Sequence, residues 1–157
     1  MKKEIERKFL VNHSLLPRNM KGHSLTQSYL SINDNGIIRI RKEGDVSKLT
    51  IKTKIVGISR SEFEYNIPID DYKEIATLRI SETIKKTRYK VTYENKIWEV
   101  DEFHEKNKGL WIAEIELQNE NESFKKPEWL LEEITYDYRY INANLSKHPY
   151  SQWQNER

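Results

Sequence analysis

Residues 1–11 read MKKEIERKFLV, and the interpretation of the whole sequence starts from this stretch. Side chains on a β-strand alternate between its two faces, so Glu4, Glu6 and Lys8 share one face while Phe9 lies on the other. The stretch is rich in strand formers and is followed by polar residues that favour a turn. It therefore predicts a first strand with two acids and a base along one side.

The composition predicts one folded domain spanning 1–157. One third of the residues are charged, yet the net charge is only +2, which argues against a basic nucleic-acid surface. The absence of cysteine excludes disulfides and thiolate metal sites. Charges interrupt the N-terminal residues, and no apolar run approaches the ~18 residues of a membrane span. We therefore expect a cytoplasmic protein without a membrane partner.

Short strands joined by turns account for most of the chain. The predicted strands cover 4–11, 24–32, 36–42, 48–56, 59–69, 83–94, 97–103 and 109–118. Several connections are too short for crossover helices, which indicates antiparallel hairpins. Short helices are predicted at 70–78, 128–133 and 137–145. The predicted fold class is mainly β (α+β): an eight-stranded antiparallel closed β-barrel, or tunnel, with a few short flanking helices.

Charged residues of one parity recur on seven of the eight predicted strands. They are Glu4, Glu6 and Lys8; Arg39 and Arg41; Lys48, Lys52 and Lys54; Arg60, Glu62 and Glu64; Lys86, Arg88 and Lys90; Glu99 and Asp101; Glu114 and Glu116. A sheet with one wet face would explain any one of these strands. The other face carries the apolar side chains, so the sheet must pack through it.

Several of these pairs carry a single sign, namely Arg39 with Arg41, Glu62 with Glu64 and Glu114 with Glu116. A solvated face gains more from mixed signs, and grouping or burying like charges is unfavourable unless a counter-charge arrives. The segregated acids and bases therefore favour two kinds of binding subsite. We expect metal cations to bind the acidic clusters and an anionic ligand to bind the basic clusters.

The residue types narrow the ligands further. Carboxylates without histidine or cysteine partners suit Mg²⁺ or Mn²⁺ rather than zinc. Clusters of arginine and lysine suit phosphate, which arginine binds through two parallel hydrogen bonds. A metal ion bound by the acids and cationic side chains around the phosphates are the groups that catalyse phosphoryl transfer. No glycine-rich phosphate loop is present, which excludes P-loop and Rossmann solutions.

The ordered motifs EIERK, RIRK, TIK, R-x-E-x-E, K-x-R, E-V-D-E-F and A-E-I-E resemble those of the CYTH superfamily, the triphosphate tunnel metalloenzymes. The opening E-x-E-x-K is the hallmark of that superfamily, and the length is similar to that of its small single-domain bacterial members. The superfamily includes thiamine triphosphatases, class IV adenylyl cyclases and inorganic triphosphatases. The resemblance implies an eight-stranded tunnel that hydrolyses or cyclises a triphosphate with Mg²⁺ or Mn²⁺.

The resemblance also implies residue roles. Metal ligands are expected at Glu4, Glu6, Asp101, Glu114 and Glu116. Phosphate-binding residues are expected at Lys8, Arg39, Arg41, Lys52, Arg60, Lys86 and Arg88. Catalytic roles are expected at Tyr29, Lys8, Glu62 and Glu64, where the acidic pair holds a second metal or positions the attacking water. As a proton acceptor Tyr29 needs its pKa, normally about 10, lowered by neighbouring cations; a packed or hydrogen-bonded tyrosine is the alternative.

The expected function is that of a metal-dependent triphosphatase acting on inorganic tripolyphosphate or a similar linear triphosphate. One alternative is a class IV-type adenylyl cyclase or a thiamine or nucleoside triphosphatase. Another is a non-catalytic polyphosphate- or RNA-binding module, which the basic and aromatic stretch KKTRYKVTY favours. The four histidines, at 13, 23, 104 and 148, are interpreted as surface or loop residues. The oligomeric state, including a homodimer, stays open.

Overall fold

The computed structural model describes residues 2–155 and contains nine strands and two short α-helices. The strands are β1 (Lys2–Val11), β2 (Gly22–Asn33), β3 (Gly36–Glu43), β4 (Val46–Thr53), β5 (Ser59–Ile67), β6 (Ile84–Tyr93), β7 (Lys96–Phe103), β8 (Trp111–Glu116) and β9 (Leu130–Glu133). The α-helices are α1 (Ile69–Ile75) and α2 (Asn142–Lys147), and short 3-10 segments flank them. The predicted domain also includes Met1 and residues 156–157, which lie outside the described residues.

All strand pairs are antiparallel, and they close into a barrel. The order is β5-β4-β3-β2-β6-β7-β8-β1-β9, and the additional β5–β1 pairing joins the first eight strands into a ring. The predicted eight-stranded closed barrel is thereby confirmed. Closure turns one face of the sheet into a lumen, although β1 extends past the part of it that pairs with β5.

Local sequence signals explain the hairpins. The side chain of Asn33 accepts a hydrogen bond from the backbone N–H of Asn35 (2.8 Å), which stabilises the turn between β2 and β3. Glu94 and Asn95 both have positive φ (48° and 63°) between β6 and β7. Two consecutive residues of this conformation form the tight hairpin turn whose twist matches that of the strands.

The segment 128–133 is not the predicted helix. Its end forms β9, which pairs with β1 beyond the part of β1 that β5 covers. Arg7 on β1 donates two hydrogen bonds to Glu133 on β9, at 2.8 and 2.5 Å. The segment forms a strand instead of a helix because it pairs with the exposed edge of β1. This pairing satisfies backbone N–H and C=O groups of β1 that would otherwise lack partners.

The outer face of the barrel carries an apolar core. Phe9, Trp98, Phe124 and Trp129 pack edge to face, with ring centroids 5.6–6.1 Å apart. Trp98 is fully buried, so its indole belongs to the core, as the apolar parity predicts. Among the described residues, none of the helices combines the length and the apolar character that spanning a membrane requires.

The lumen is polar at one end and apolar at the other. Ile84, Phe103 and Ile112 share the parity of the charged residues on their strands, yet they lie in a buried apolar cluster. Ala143 and Leu145 of α2 belong to the same cluster. The predicted terminal helix at 137–145 is in fact a 3-10 turn at Tyr138–Tyr140 followed by α2. The C-terminal segment therefore closes this end of the barrel.

Candidate active site

A cavity of ≈ 390 Å³ occupies the polar half of the lumen. Every residue predicted for the site lines it, except Asp101: Glu4, Glu6, Lys8, Tyr29, Arg39, Arg41, Lys52, Arg60, Glu62, Glu64, Lys86, Arg88, Glu114 and Glu116. They come from seven strands, and closure of the barrel brings them together. A drug-sized ligand occupies a pocket of about 300–1,000 Å³, so this cavity suits a small molecule.

The register of β1 and β8 creates an acidic side. Glu6 lies opposite Glu116, and Lys8 lies opposite Glu114. The Lys8 ammonium is 3.6 Å from a carboxylate oxygen of both Glu6 and Glu114. Burial and repulsion from Glu114 raise the pKa of Glu6 to about 8. Burial opposes the charged form of Lys8, but the carboxylates of Glu114 and Glu6 outweigh it and raise the pKa of Lys8.

A second group of charges joins β1 to β4 and β5. Lys52 Nζ lies 3.0 Å from Glu4 Oε2 and 3.4 Å from Glu62 Oε2, and Arg60 Nε lies 3.9 Å from Glu4 Oε1. Burial works against the Glu4 carboxylate, but Lys52 and Arg60 hold its pKa well below its usual range. Burial raises the pKa of Glu62. Two neighbouring carboxylates thus differ in basicity because the cations lie closer to one of them.

Asp101 lies behind the cavity surface. Its two oxygens accept hydrogen bonds from Arg88 Nε (2.7 Å) and Nη2 (2.9 Å), and Lys86 Nζ lies 2.7 Å away. The side chain is 1% exposed. Burial opposes its charged form, but Lys86 and Arg88 lower its pKa. In this arrangement Asp101 anchors two bases that line the cavity.

The opposite wall is basic. Arg41 lies opposite Lys48 across β3 and β4, and its closest carboxylate, Glu64, is 3.9 Å away. Burial and the charge of Arg39 lower the pKa of Arg41. Among the described residues, no carboxylate lies within 4 Å of Arg39, and its buried Nε has no hydrogen-bond partner. Like charges placed opposite each other destabilise a sheet, so this wall is arranged for an anion.

Two cavity residues, His23 and Asn142, and the buried Gln27 that contacts the cavity-lining Tyr29 and Asn142, escaped the sequence analysis. His23 was interpreted as a surface or loop residue; its side chain is 39% exposed, and it lies on β2 at the cavity, with Nε2 2.5 Å from a Glu43 oxygen. Gln27 Nε2 donates to Tyr29 Oη (3.1 Å) and to Asn142 Oδ1 (3.1 Å). Gln27 shares the parity of Tyr29, so strand alternation was a usable signal for it. Asn142 had no such signal, because only folding brings the C-terminal segment to the barrel.

The carboxylates on the acidic side match a hard divalent cation in chemistry. Glu6 is half-buried and has a raised pKa, and among the described residues its one ion-pair contact is the long one to Lys8, so its oxygens retain free lone pairs. Its neighbours Glu4, Glu114 and Glu116 supply oxygen donors only, which suits Mg²⁺ or Mn²⁺. Among residues 2–155, no three acidic or histidine side chains converge closely enough to form a complete metal cage. The donor set therefore fits a metal that takes its remaining ligands from substrate and water.

Curated relatives match almost the whole chain. An inorganic triphosphatase of Acetivibrio thermocellus is 44% identical over 155 residues, which is 98% of this chain and 99% of that protein. An inorganic triphosphatase of Nitrosomonas europaea is 31% identical over 147 residues, covering 91% of this chain and 96% of that protein.

Solved structures share the fold. The inorganic triphosphatase NE1496 superposes with a TM-score of 0.67 at 30% identity, covering 91% of this chain and 97% of that one. The PH1012 protein of Pyrococcus horikoshii superposes with a TM-score of 0.56 at 22% identity, over 74% and 80% of the two chains, and this match concerns the fold alone. The family model of the CYTH domain matches residues 2–150. Together with the barrel and its charged lumen, this match shows that the chain belongs to the CYTH family.

Proposed function

We propose that this chain hydrolyses inorganic tripolyphosphate, or a similar linear triphosphate, with Mg²⁺ or Mn²⁺ as cofactor. The observation that supports this proposal most strongly is that Arg39 is a buried guanidinium with no carboxylate within 4 Å among the described residues. The opposite side of the same cavity is acidic. An anion that also binds a metal complements both sides. The two curated relatives, both inorganic triphosphatases, support the same activity.

The proposed metal ligands are Glu4, Glu6, Glu114 and Glu116. CYTH triphosphatases are metal-dependent. A bound divalent cation supplies Lewis-acid polarisation of phosphoryl oxygens and neutralises charge that develops on the leaving group. Asp101, the fifth expected ligand, already holds Lys86 and Arg88. We propose that it acts by fixing these two bases.

The bases bind and orient the phosphate chain. The proposed phosphate-binding residues are Lys8, Arg39, Arg41, Lys52, Arg60, Lys86 and Arg88. Because they come from several strands of a closed barrel, their positions are fixed before the substrate arrives. Positively charged donors held in place around a transferring phosphoryl group stabilise its transition state without reorganisation.

The proposed catalytic set is Tyr29, Lys8, Glu62 and Glu64, and the structure favours Glu62 as the base. Burial raises the pKa of Glu62, which makes it a stronger proton acceptor than Glu64. Burial also acts on Glu64, but Lys48 (Nζ–Oε1 3.1 Å) and Arg41 lower its pKa. Glu64 is thereby suited to positioning the basic wall. Tyr29 lines the cavity, and its hydroxyl accepts a hydrogen bond from Gln27.

The alternatives fit the cavity less well. A nucleotide or thiamine substrate needs surface for its ring, and Tyr29 and His23 are the only rings that line the cavity in the described part of the chain. Tyr29 is 2% exposed, so it offers no stacking platform. A non-catalytic phosphate- or RNA-binding module would gain nothing from an acidic side, which repels its ligand. These observations favour a small inorganic substrate.

The test is a substrate panel on the purified chain. Phosphate release from tripolyphosphate, ATP and thiamine triphosphate is measured with Mg²⁺ and with Mn²⁺, and we expect tripolyphosphate to be cleaved fastest. Glu6→Gln should retain the fold, because the raised pKa of Glu6 means that losing its negative charge costs little stability. The same substitution should reduce turnover by orders of magnitude. Glu102→Gln, on the outer face of β7, is the control. Cyclic AMP as the main product, or full activity of Glu6→Gln, would overturn the proposal.

A further inference from the structure

Asn142 is placed where it can contact a ligand at the closed end of the cavity. It is the first residue of α2, it is 8% exposed, and it lines the cavity. Its neighbours Ile141 and Ala143 line both this cavity and an open cleft on the other side of the segment. Residues 141–143 thus form the end wall of the cavity, and Asn142 carries the polar side chain of that wall.

Hydrogen-bond chemistry fixes the orientation of the Asn142 amide. Lys86 Nζ lies 2.8 Å from Oδ1, and an ammonium group can only donate, so the oxygen must face Lys86. Gln27 Nε2 donates to the same oxygen at 3.1 Å. The Nδ2 group must therefore point away from both donors. Among the described residues, no atom accepts a hydrogen bond from Nδ2.

We propose that the Nδ2 group of Asn142 donates a hydrogen bond to a phosphoryl oxygen of the substrate at this end wall, beside Lys86. This inference rests on the proposed function and adds a binding residue to it. Two donors on Oδ1 polarise the amide, and a polarised amide is a stronger N–H donor. The residue is neutral, so it adds a directed contact among cations that attract the substrate from every side.

Two substitutions separate ligand contact from a structural role. Asn142→Asp keeps an oxygen that accepts from Lys86 and Gln27 but removes the donor, whereas Asn142→Ala removes both. A hydrogen bond to a charged group has an effect on the order of 10- to 100-fold, so both variants should raise the KM for tripolyphosphate by about that factor with a smaller change in kcat. If Asn142 only holds Lys86 and Gln27 in place, Asn142→Asp will keep the wild-type KM and Asn142→Ala alone will fail.

A matched control tests for the added charge. Asn144 lies two residues further along α2, lines the open cleft instead of the cavity, and donates from Nδ2 to the Tyr138 carbonyl. Asn144→Asp places the same charge on the same helix, and its KM should stay within about twofold of wild type. An equal rise of KM in both variants would mean that charge alone acts, and would overturn the proposal. Thermal unfolding confirms that each variant is folded.

A direct readout comes from the side-chain amide itself. In ¹⁵N-labelled protein with EDTA, tripolyphosphate should shift the Asn142 NH₂ signals, assigned by their absence in Asn142→Asp, and the Nε–H signal of Arg39. A shift at Arg39 without one at Asn142 would refute this inference and leave the proposed function standing. The absence of both shifts would count against the proposed substrate and this inference together.

Discussion

Arg39→Met should make the protein more stable and less active at once. The substitution keeps an apolar stem of similar length and removes the charge. Arg39 is 6% exposed, its Nε has no partner, and within residues 2–155 no carboxylate lies within 4 Å. Removing a buried unsatisfied polar group should stabilise by about 1–3 kcal/mol. For a chain of this size that corresponds to a rise in Tm of roughly 2–12 °C.

The loss of activity follows from the same geometry. A guanidinium bound to phosphate makes two charge-assisted hydrogen bonds of ~1.5–3 kcal/mol each. Removing both should lower kcat/KM for tripolyphosphate by about 10²- to 10⁴-fold. The assays are phosphate release under Mg²⁺ and thermal unfolding without substrate.

Arg88→Met is the matched control, because it makes the same chemical change at a paired arginine. Arg88 donates twice to the buried Asp101, so removing it leaves a carboxylate with less compensation. We expect a destabilisation of about 3 kcal/mol or more. If both variants lose stability equally, or if Arg39→Met keeps wild-type kcat/KM, then Arg39 is not an anion-binding group and the reasoning fails.

Three further predictions concern pH, backbone strain and metal. Hydrogen bonds from Arg7 lower the pKa of Glu133, so the stability that wild type gains over Glu133→Gln should be present above the unfolded pKa of about 4.3 and disappear as the pH falls through the lower folded pKa. Chemical unfolding between pH 2 and 7 measures this difference, and a difference that is constant with pH would contradict it. Gly36 has φ 142°, and a Cβ there would lie 2.0 Å from the Lys52 carbonyl oxygen. Gly36→Ala should therefore lower the free energy of unfolding by about 1–3 kcal/mol more than Gly44→Ala, where nothing lies within 4 Å; equal losses would refute the steric argument. EDTA should abolish phosphate release while tripolyphosphate still raises Tm, and persistent hydrolysis under EDTA would exclude the metal role.

Alternation along single strands was readable from the sequence. The parity of Glu4, Glu6 and Lys8, and of the later charged pairs, predicted which side chains share a face, because the strand period of two is a local property of the backbone. Short hairpin connections then predicted the antiparallel pairing of strands that are consecutive in the sequence. The eight-stranded barrel and the charged half of its lumen followed from these two local signals, whereas the apolar half around Ile84, Phe103 and Ile112 did not.

Only the tertiary structure decided which charge meets which. The strand register places Asp101 opposite Arg88, and it places Glu6 opposite Glu116. Glu6 and Glu116 lie on strands distant in sequence, whereas Arg88 and Asp101 face each other across the β6–β7 hairpin, and a one-residue slip would change either pairing. Residues 130–133 form a strand because they pair with the edge of β1. Asn142 lines the cavity because α2 packs against the end of the barrel. The local sequence pattern thus determined which side chains share a face of a strand, whereas strand register and long-range packing determined which residues contact each other.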